Sequence, residues 1–131
     1  MTINEHSLLI DTDILIDYLR GQKQAVSFLE NTDNHLMTSA INVAEIFVGV
    51  RDGKERSVLE QFIQLFEIIN IDHEIAEMGG LFRRDYGQTH GTGLADGIIA
   101  ASAKLKKARL ITLNARHFPM LADVFIPYKN E

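Results

Sequence analysis

The sequence predicts an α/β sandwich with a mostly parallel sheet, on three observations. Short apolar runs alternate with segments of helical periodicity along the chain. The runs are continuous rather than alternating, as in "SLLI" (Ser7 to Ile10), which suits strands covered on both faces. The 131 residues contain no internal repeat, low-complexity tract or Pro/Gly-rich linker, so residues 1–131 are read as a single domain with one core.

"SLLI" is the first strand. "DILIDYLRG" follows as a short helix, with Asp13 placed to cap its start and Gly21 to end it. "KQAVSFLEN" is a second helix and "HLMTS" a second strand. "AINVAEIFVGVRDG" reads as a third helix closed by Gly53, and "KERSVLEQFIQLF" as a fourth, with Val58, Leu59, Phe62, Ile63 and Phe66 at helical spacing. "EIINI" is a third strand. "DHEIAEMGGLFRRDYG" is a helix interrupted by Gly79 and Gly80, and "QTHGTG" a turn. "LADGIIAASAKLKKA" is a helix whose small residues permit close packing. "RLITL" is a fourth strand and "VFIPY" a short fifth.

Composition narrows the function. With 46% hydrophobic and 24% charged residues the chain reads as soluble and globular, and it has no run of about 18 apolar residues to span a membrane. "MTINEHSLLIDTD" carries acids where a signal peptide carries positive charge, so export is not expected. The absence of cysteine excludes disulfides and thiolate metal sites, which fits a reducing cytoplasm. A net charge of -5 argues against a generally adhesive nucleic-acid binder. The basic groups Arg51, Lys54 and Arg56, Arg83 and Arg84, and Lys104, Lys106, Lys107 and Arg109 read as solvated helix ends.

Three acids break the apolar pattern. Asp11 directly follows "LLI", and such sheets bind ligands beyond the carboxyl ends of their strands. Glu45 is the only charged side chain between Leu36 and Val50, and Asp96 the only carboxylate between Tyr86 and Ala103. A buried lone carboxylate costs several kcal/mol without hydrogen bonds, a cationic partner or a metal. Each has a plain alternative: Asp11 as a helix cap, Asp96 on free backbone amides, Glu45 emerging at an edge or pairing with a distant arginine. If the three converge, they need a cation or shifted pKa values, and oxygen ligands alone suit magnesium or manganese. The five histidines have no helical ligand spacing, which argues against zinc. Thr112 and Asn114 follow the strand "RLI", where Asn114 is either a turn residue or a donor to the site. Asp13 is a cap or an auxiliary acid, and Asp17 pairs at the surface with Arg20 at i+3.

An aspartate pair after an apolar strand fits two kinds of chemistry. In haloacid-dehalogenase-type phosphatases the first aspartate attacks phosphorus and the second acts as general acid. Those enzymes usually continue with glycine and threonine, whereas Ile14, Leu15 and Ile16 follow here, and no second acid accompanies Asp96 in "DGIIAASA".

The order "LLIDTDILIDYLRG", "TSAINVAEIFVG", "LADGIIAASA" and "LITLNARHF" resembles PIN-domain nucleases, in particular VapC-type ribonuclease toxins of toxin-antitoxin pairs, from Leu8 to about Phe118. The resemblance implies a three-layer α/β/α fold and a metal-dependent ribonuclease. Asp11 matches the first acid, Glu45 the second and Asp96 the third, while Asn114 stands at the fourth position, often aspartate in the wider group. It implies that Asp11 and Asp96 hold Mg2+ or Mn2+, that Glu45 orients or deprotonates the attacking water, and that Asp13, Thr112 and Asn114 support them. Asn114 removes one charge and favours a single tightly held metal. Arg83, Arg84 or the Lys104 to Lys107 group would guide RNA. A homodimer and a small antitoxin are the implied partners. The rival reading is a catalytically inactive PIN-like module that binds RNA or protein without cutting.

Overall fold

The computed structural model describes residues 7–129. Residues 1–6, on which the reading of the N-terminus partly rests, lie outside the described residues. The chain runs β1 (Ser7–Ile10), α1 (Thr12–Leu19), α2 (Lys23–Asn31), β2 (His35–Ser39), α3 (Ala40–Phe47), α4 (Lys54–Ile63), β3 (Glu67–Ile69), α5 (His73–His90), α6 (Leu94–Leu105), β4 (Ala108–Ile111) and β5 (Val124–Phe125). All strand pairs are parallel, in the order β3-β2-β1-β4-β5. The sheet switches direction of growth at β1, whose Leu9 lies beside Met37 of β2 and Leu110 of β4. A crevice at the carboxyl ends of β1 and its neighbours is therefore the expected ligand position.

The continuous apolar runs are explained by two cores, one on each face. Leu8 and Ile10 of β1 point into a cluster with Ile111 of β4 and with Ile14, Leu15, Leu29, Leu59 and Phe62, supplied by α1, α2 and α4. Leu9 points the other way, into Ile75, Ile99, Ala100, Leu110 and Phe118, under α5 and α6. Helices above and below one sheet make the three layers. Among the described residues no helix is long and apolar enough to cross a membrane.

Several boundaries differ from the sequence reading. Of the two aspartates read as possible caps of α1 it is Asp11 that serves: its side chain accepts the Thr12 N–H, while Asp13 lies inside the first turn. Gly21 does end α1, at φ +78. The third helix stops at Phe47, because β-branched Val48 and Val50 around Gly49 are weak helix formers, and Gly53 (φ +96) leads into α4 instead. Asp17 does not pair with Arg20. It accepts the hydroxyl of buried Tyr128 at 2.9 Å, tying α1 to the C-terminal segment.

The largest difference is α5, which runs unbroken through Gly79 and Gly80 and on to His90, closed by Gly91 in the left-handed region at φ +70. Gly79 is retained in the helix by packing rather than propensity. A Cβ there would stand 2.9 Å from Ile98 Cα, and one on Gly97 would collide with the Gly79 carbonyl, so the two glycines are the point where α5 and α6 cross. Around Gly80 the space is open. Gly97→Ala is accordingly expected to destabilise by about 2 kcal/mol or more through overpacking. Gly80→Ala, in the same helical layer, is expected to stabilise by about 0.5–1 kcal/mol. Urea unfolding of the two variants reads both, and equal effects would contradict this crossing.

Candidate active site

The backbone of Asp11 still belongs to the sheet, its N–H donating to Ile111 O at 3.0 Å. The chain then turns into α1, and the side chain is left at the strand end, only 7% exposed. Oδ1 accepts the Thr12 N–H at 2.8 Å and the Asn42 amide at 3.2 Å, and Oδ2 accepts the Thr112 hydroxyl at 2.8 Å. Burial pushes its pKa up to about 7; Asp13 and, less strongly, Asp96 add repulsion, while the Thr112 and Thr12 bonds pull down. None of the ion pairs among the described residues involves Asp11.

Asp13 reaches across to the segment after β4. Its Oδ1 accepts the Ile14 N–H at 2.8 Å, and its Oδ2 accepts the Leu113 N–H at 2.9 Å and the Asn114 amide at 3.4 Å. Burial raises this carboxyl as well. It is therefore an acid beside Asp11, held by backbone, as one of its two sequence readings has it. Thr112 and Asn114 both join the cluster: Thr112 donates to Asp11 and accepts the Asn114 N–H at 3.0 Å.

Glu45 sits on α3 and is exposed, so it is not the buried lone carboxylate and matches the alternative in which it emerges at an edge. Asn42 and Ile46, four residues apart, take the buried stripe of this short helix and leave Glu45 off it. Its Oε1 accepts the Thr12 hydroxyl at 2.6 Å, a contact that ties it to the turn behind Asp11. Asp96, partly buried at the start of α6, accepts the Gly93 N–H at 2.9 Å, so its capping alternative holds alongside its place near Asp11. His117 Nδ1 lies 3.4 Å from Asp96 Oδ2. The Thr92 hydroxyl donates to His117 O at 2.7 Å and pins that turn beside α6.

Thr12, Asn42 and His117 escaped the sequence reading. For Asn42 a signal existed, since it stands three residues after Ser39 and completes a capping box with it. For Thr12 and His117 no local signal marks the role.

The basic clusters are mostly neutralised. Arg51 pairs with Glu55, Arg56 with Asp52 and Glu60, Arg84 with Asp85, and Arg109 with Asp123. Lys104, Lys106 and Lys107 are exposed but precede β4, so they occupy the amino edge of the sheet, opposite the acids. They do not line this site.

The acids do not close on one point: among the described residues no group of three His, Asp or Glu side chains is placed to hold a metal ion. What the arrangement offers is a desolvated carboxylate with two acidic neighbours and oxygen donors around it, a local excess of negative charge that a hard divalent cation would relieve.

Such a site, at the carboxyl ends of central strands in a parallel three-layer sandwich, defines a class of α/β proteins with an acidic catalytic crevice. The chain belongs to the PIN domain family, which its residues 8–123 match. Ribonuclease VapC19 of Mycobacterium tuberculosis is 37% identical over 124 residues, covering 92% of this chain and 98% of that protein. A toxin-antitoxin complex from Klebsiella pneumoniae contains a chain that superposes with a TM-score of 0.82 at 32% identity, over 94% of this chain and 99% of that one. FitAcB from Neisseria gonorrhoeae gives 0.74 at 33%, over 92% and 97%.

The raised pKa of Asp11 fixes the sign of a pH effect. Between the ordinary value of 3.8 and about 7 the folded chain binds more protons at Asp11 than the unfolded chain does. Stability from this group is therefore full below the lower value and is lost as pH rises through the upper one, by at most about 4 kcal/mol. In metal-free buffer, Asp11→Asn should be more stable than wild type at pH 8, with the difference shrinking towards pH 5. Denaturant midpoints at the two pH values check this; a constant difference would contradict it.

Proposed function

We propose that the chain is a metal-dependent ribonuclease that hydrolyses RNA phosphodiester bonds and serves as the toxin of a toxin-antitoxin pair. The observation that carries the reading is Asp11: a buried carboxylate with acidic neighbours and, among the described residues, no ion pair, at the strand-end position of a PIN-domain chain. The ribonuclease named among its relatives and the toxin-antitoxin complex among its structural neighbours support it.

In this reading Asp11 and Asp96 hold Mg2+ or Mn2+. When bound, the ion lowers the pKa of water and offsets charge developing on the phosphate. Glu45, exposed at the rim, orients the attacking water and takes its proton. Asp13 adds negative charge beside Asp11, and Thr112 and Asn114 hold the two aspartates apart at fixed orientation. The whole chain forms one nuclease domain, acts in the cytoplasm, and pairs with a second copy as a homodimer. Its antitoxin is a small protein whose tail covers the groove of about 980 Å3 between α1, α3 and α4, walled by Ile16, Leu19, Val50 and Val58 and reaching Glu45.

The test is cleavage of structured RNA by purified protein with magnesium, with manganese and with chelator, beside a small phosphomonoester. RNA cleavage that needs the metal and falls about 100-fold or more in Asp11→Asn and in Asp96→Asn is expected. Manganese should also raise the melting temperature of wild type at pH 8 and not that of Asp11→Asn. Phosphomonoester turnover without RNA cleavage would replace this reading with a phosphatase, and RNA binding without either activity with the inactive module.

A further inference from the structure

Asn42 is fully buried, and its two ends face opposite demands. Oδ1 accepts the Ser39 N–H at 3.0 Å and lies 3.2 Å from the Thr38 hydroxyl. A backbone N–H only donates, so this end must be the oxygen, and the amide cannot be flipped without setting donor against donor. The nitrogen is thereby aimed at the other side, 3.2 Å from Asp11 Oδ1 and 2.8 Å from Thr12 Oγ1. With a lone pair of Thr12 taken by that amide, the single hydroxyl proton goes to Glu45 Oε1 at 2.6 Å. Every donor in the chain from Ser39 to Glu45 has one direction.

Capping α3 requires only the oxygen of Asn42. The two bonds from its nitrogen add nothing to the cap and join two acids from different elements. Glu45 is the acid that needs such a hold. It is exposed, and a glutamate released from its partner regains the rotamer freedom of a long side chain. A displacement of about 1 Å at a reacting centre is enough to cost roughly 100-fold in rate.

We propose that Asn42 and Thr12 are positioning residues: the buried Asn42 amide orients the Thr12 hydroxyl, and Thr12 holds the Glu45 carboxylate at a fixed place relative to Asp11. The inference rests on reading Asp11 and Glu45 as nuclease acids and names the groups that align them. Neither positioning residue touches substrate.

Thr12 tests the inference more cleanly than Asn42, whose replacement also removes a buried helix cap. Thr12→Val keeps the shape and deletes only the hydroxyl. Steady-state RNA cleavage and thermal unfolding are measured for wild type, Thr12→Val, Thr12→Ser, Glu45→Gln and the double variant Thr12→Val/Glu45→Gln. The expected result is a kcat lower by about tenfold or more in Thr12→Val, with KM for RNA within about twofold. Thr12→Ser should recover kcat to within about threefold, and the double variant should match Glu45→Gln alone, because the two groups act as one unit. A Thr12→Val enzyme with wild-type kcat, or losses that multiply in the double variant, would overturn the proposal. If wild type cleaves no RNA with either metal, the ribonuclease reading fails. The positioning inference is then decided by crystal structures of wild type and Thr12→Val: a displaced Glu45 carboxylate supports it, and an unmoved one overturns it.

Discussion

A single carboxylate, that of Asp11, ties the central sheet to the helices on one of its faces and to the segment after β4. Its backbone extends the hydrogen-bond ladder between β1 and β4, its side chain caps α1, and its two oxygens receive donors from Thr12, Asn42 and Thr112. Those donors come from α1, from α3 and from the segment after β4. The hydrogen bonds from Thr112 and Thr12 favour its charged form, yet burial and the neighbouring Asp13 outweigh them, and the group stays hard to ionise. The fold thus holds a carboxylate where it is least content as a free anion.

The rest of the architecture serves this position. Parallel strands bring the ends of β1 and β4 together, so residues 101 apart in sequence, Asp11 and Thr112, meet within hydrogen-bond distance. The glycine crossing of α5 and α6 lets two helices share one face of the sheet, and this sets the start of α6, with Asp96, near Asp11. The Thr92 bond to the turn around His117 then fixes the imidazole beside Asp96. On the opposite face α1 and α3 lie against each other, and the contact carries the Thr12 to Glu45 bond. Glu45 is exposed because it lies off the buried stripe of α3, whereas Asp11 is buried at the end of β1 among donors from Thr12, Asn42 and Thr112.

Much of the site was readable as a list of residues and little of it as an arrangement. Asp11, Asp96, Thr112 and Asn114 stand out because each follows a strand or opens a helix, and strand ends are where parallel sheets place ligands. Glu45 was singled out by an argument about burial that its exposure overturns, although its link to the turn after Asp11 keeps it in the cluster. Asp17 was matched with a neighbour on its own helix, and its real partner, Tyr128, is 111 residues away.

Hydrophobic periodicity by itself determined the succession of strands and helices along the chain and the parallel sheet, because these depend on apolar patterns within windows of about 11–18 residues. Tertiary structure alone decided that α5 continues through two glycines, which oxygen meets which donor across the elements, and that Thr12, Asn42 and His117 belong with the acids. Those outcomes depend on strand register and helix crossing, which bring distant backbone and side-chain groups within about 3 Å, the range of a hydrogen bond. Short-range pattern carries no information at that distance in sequence.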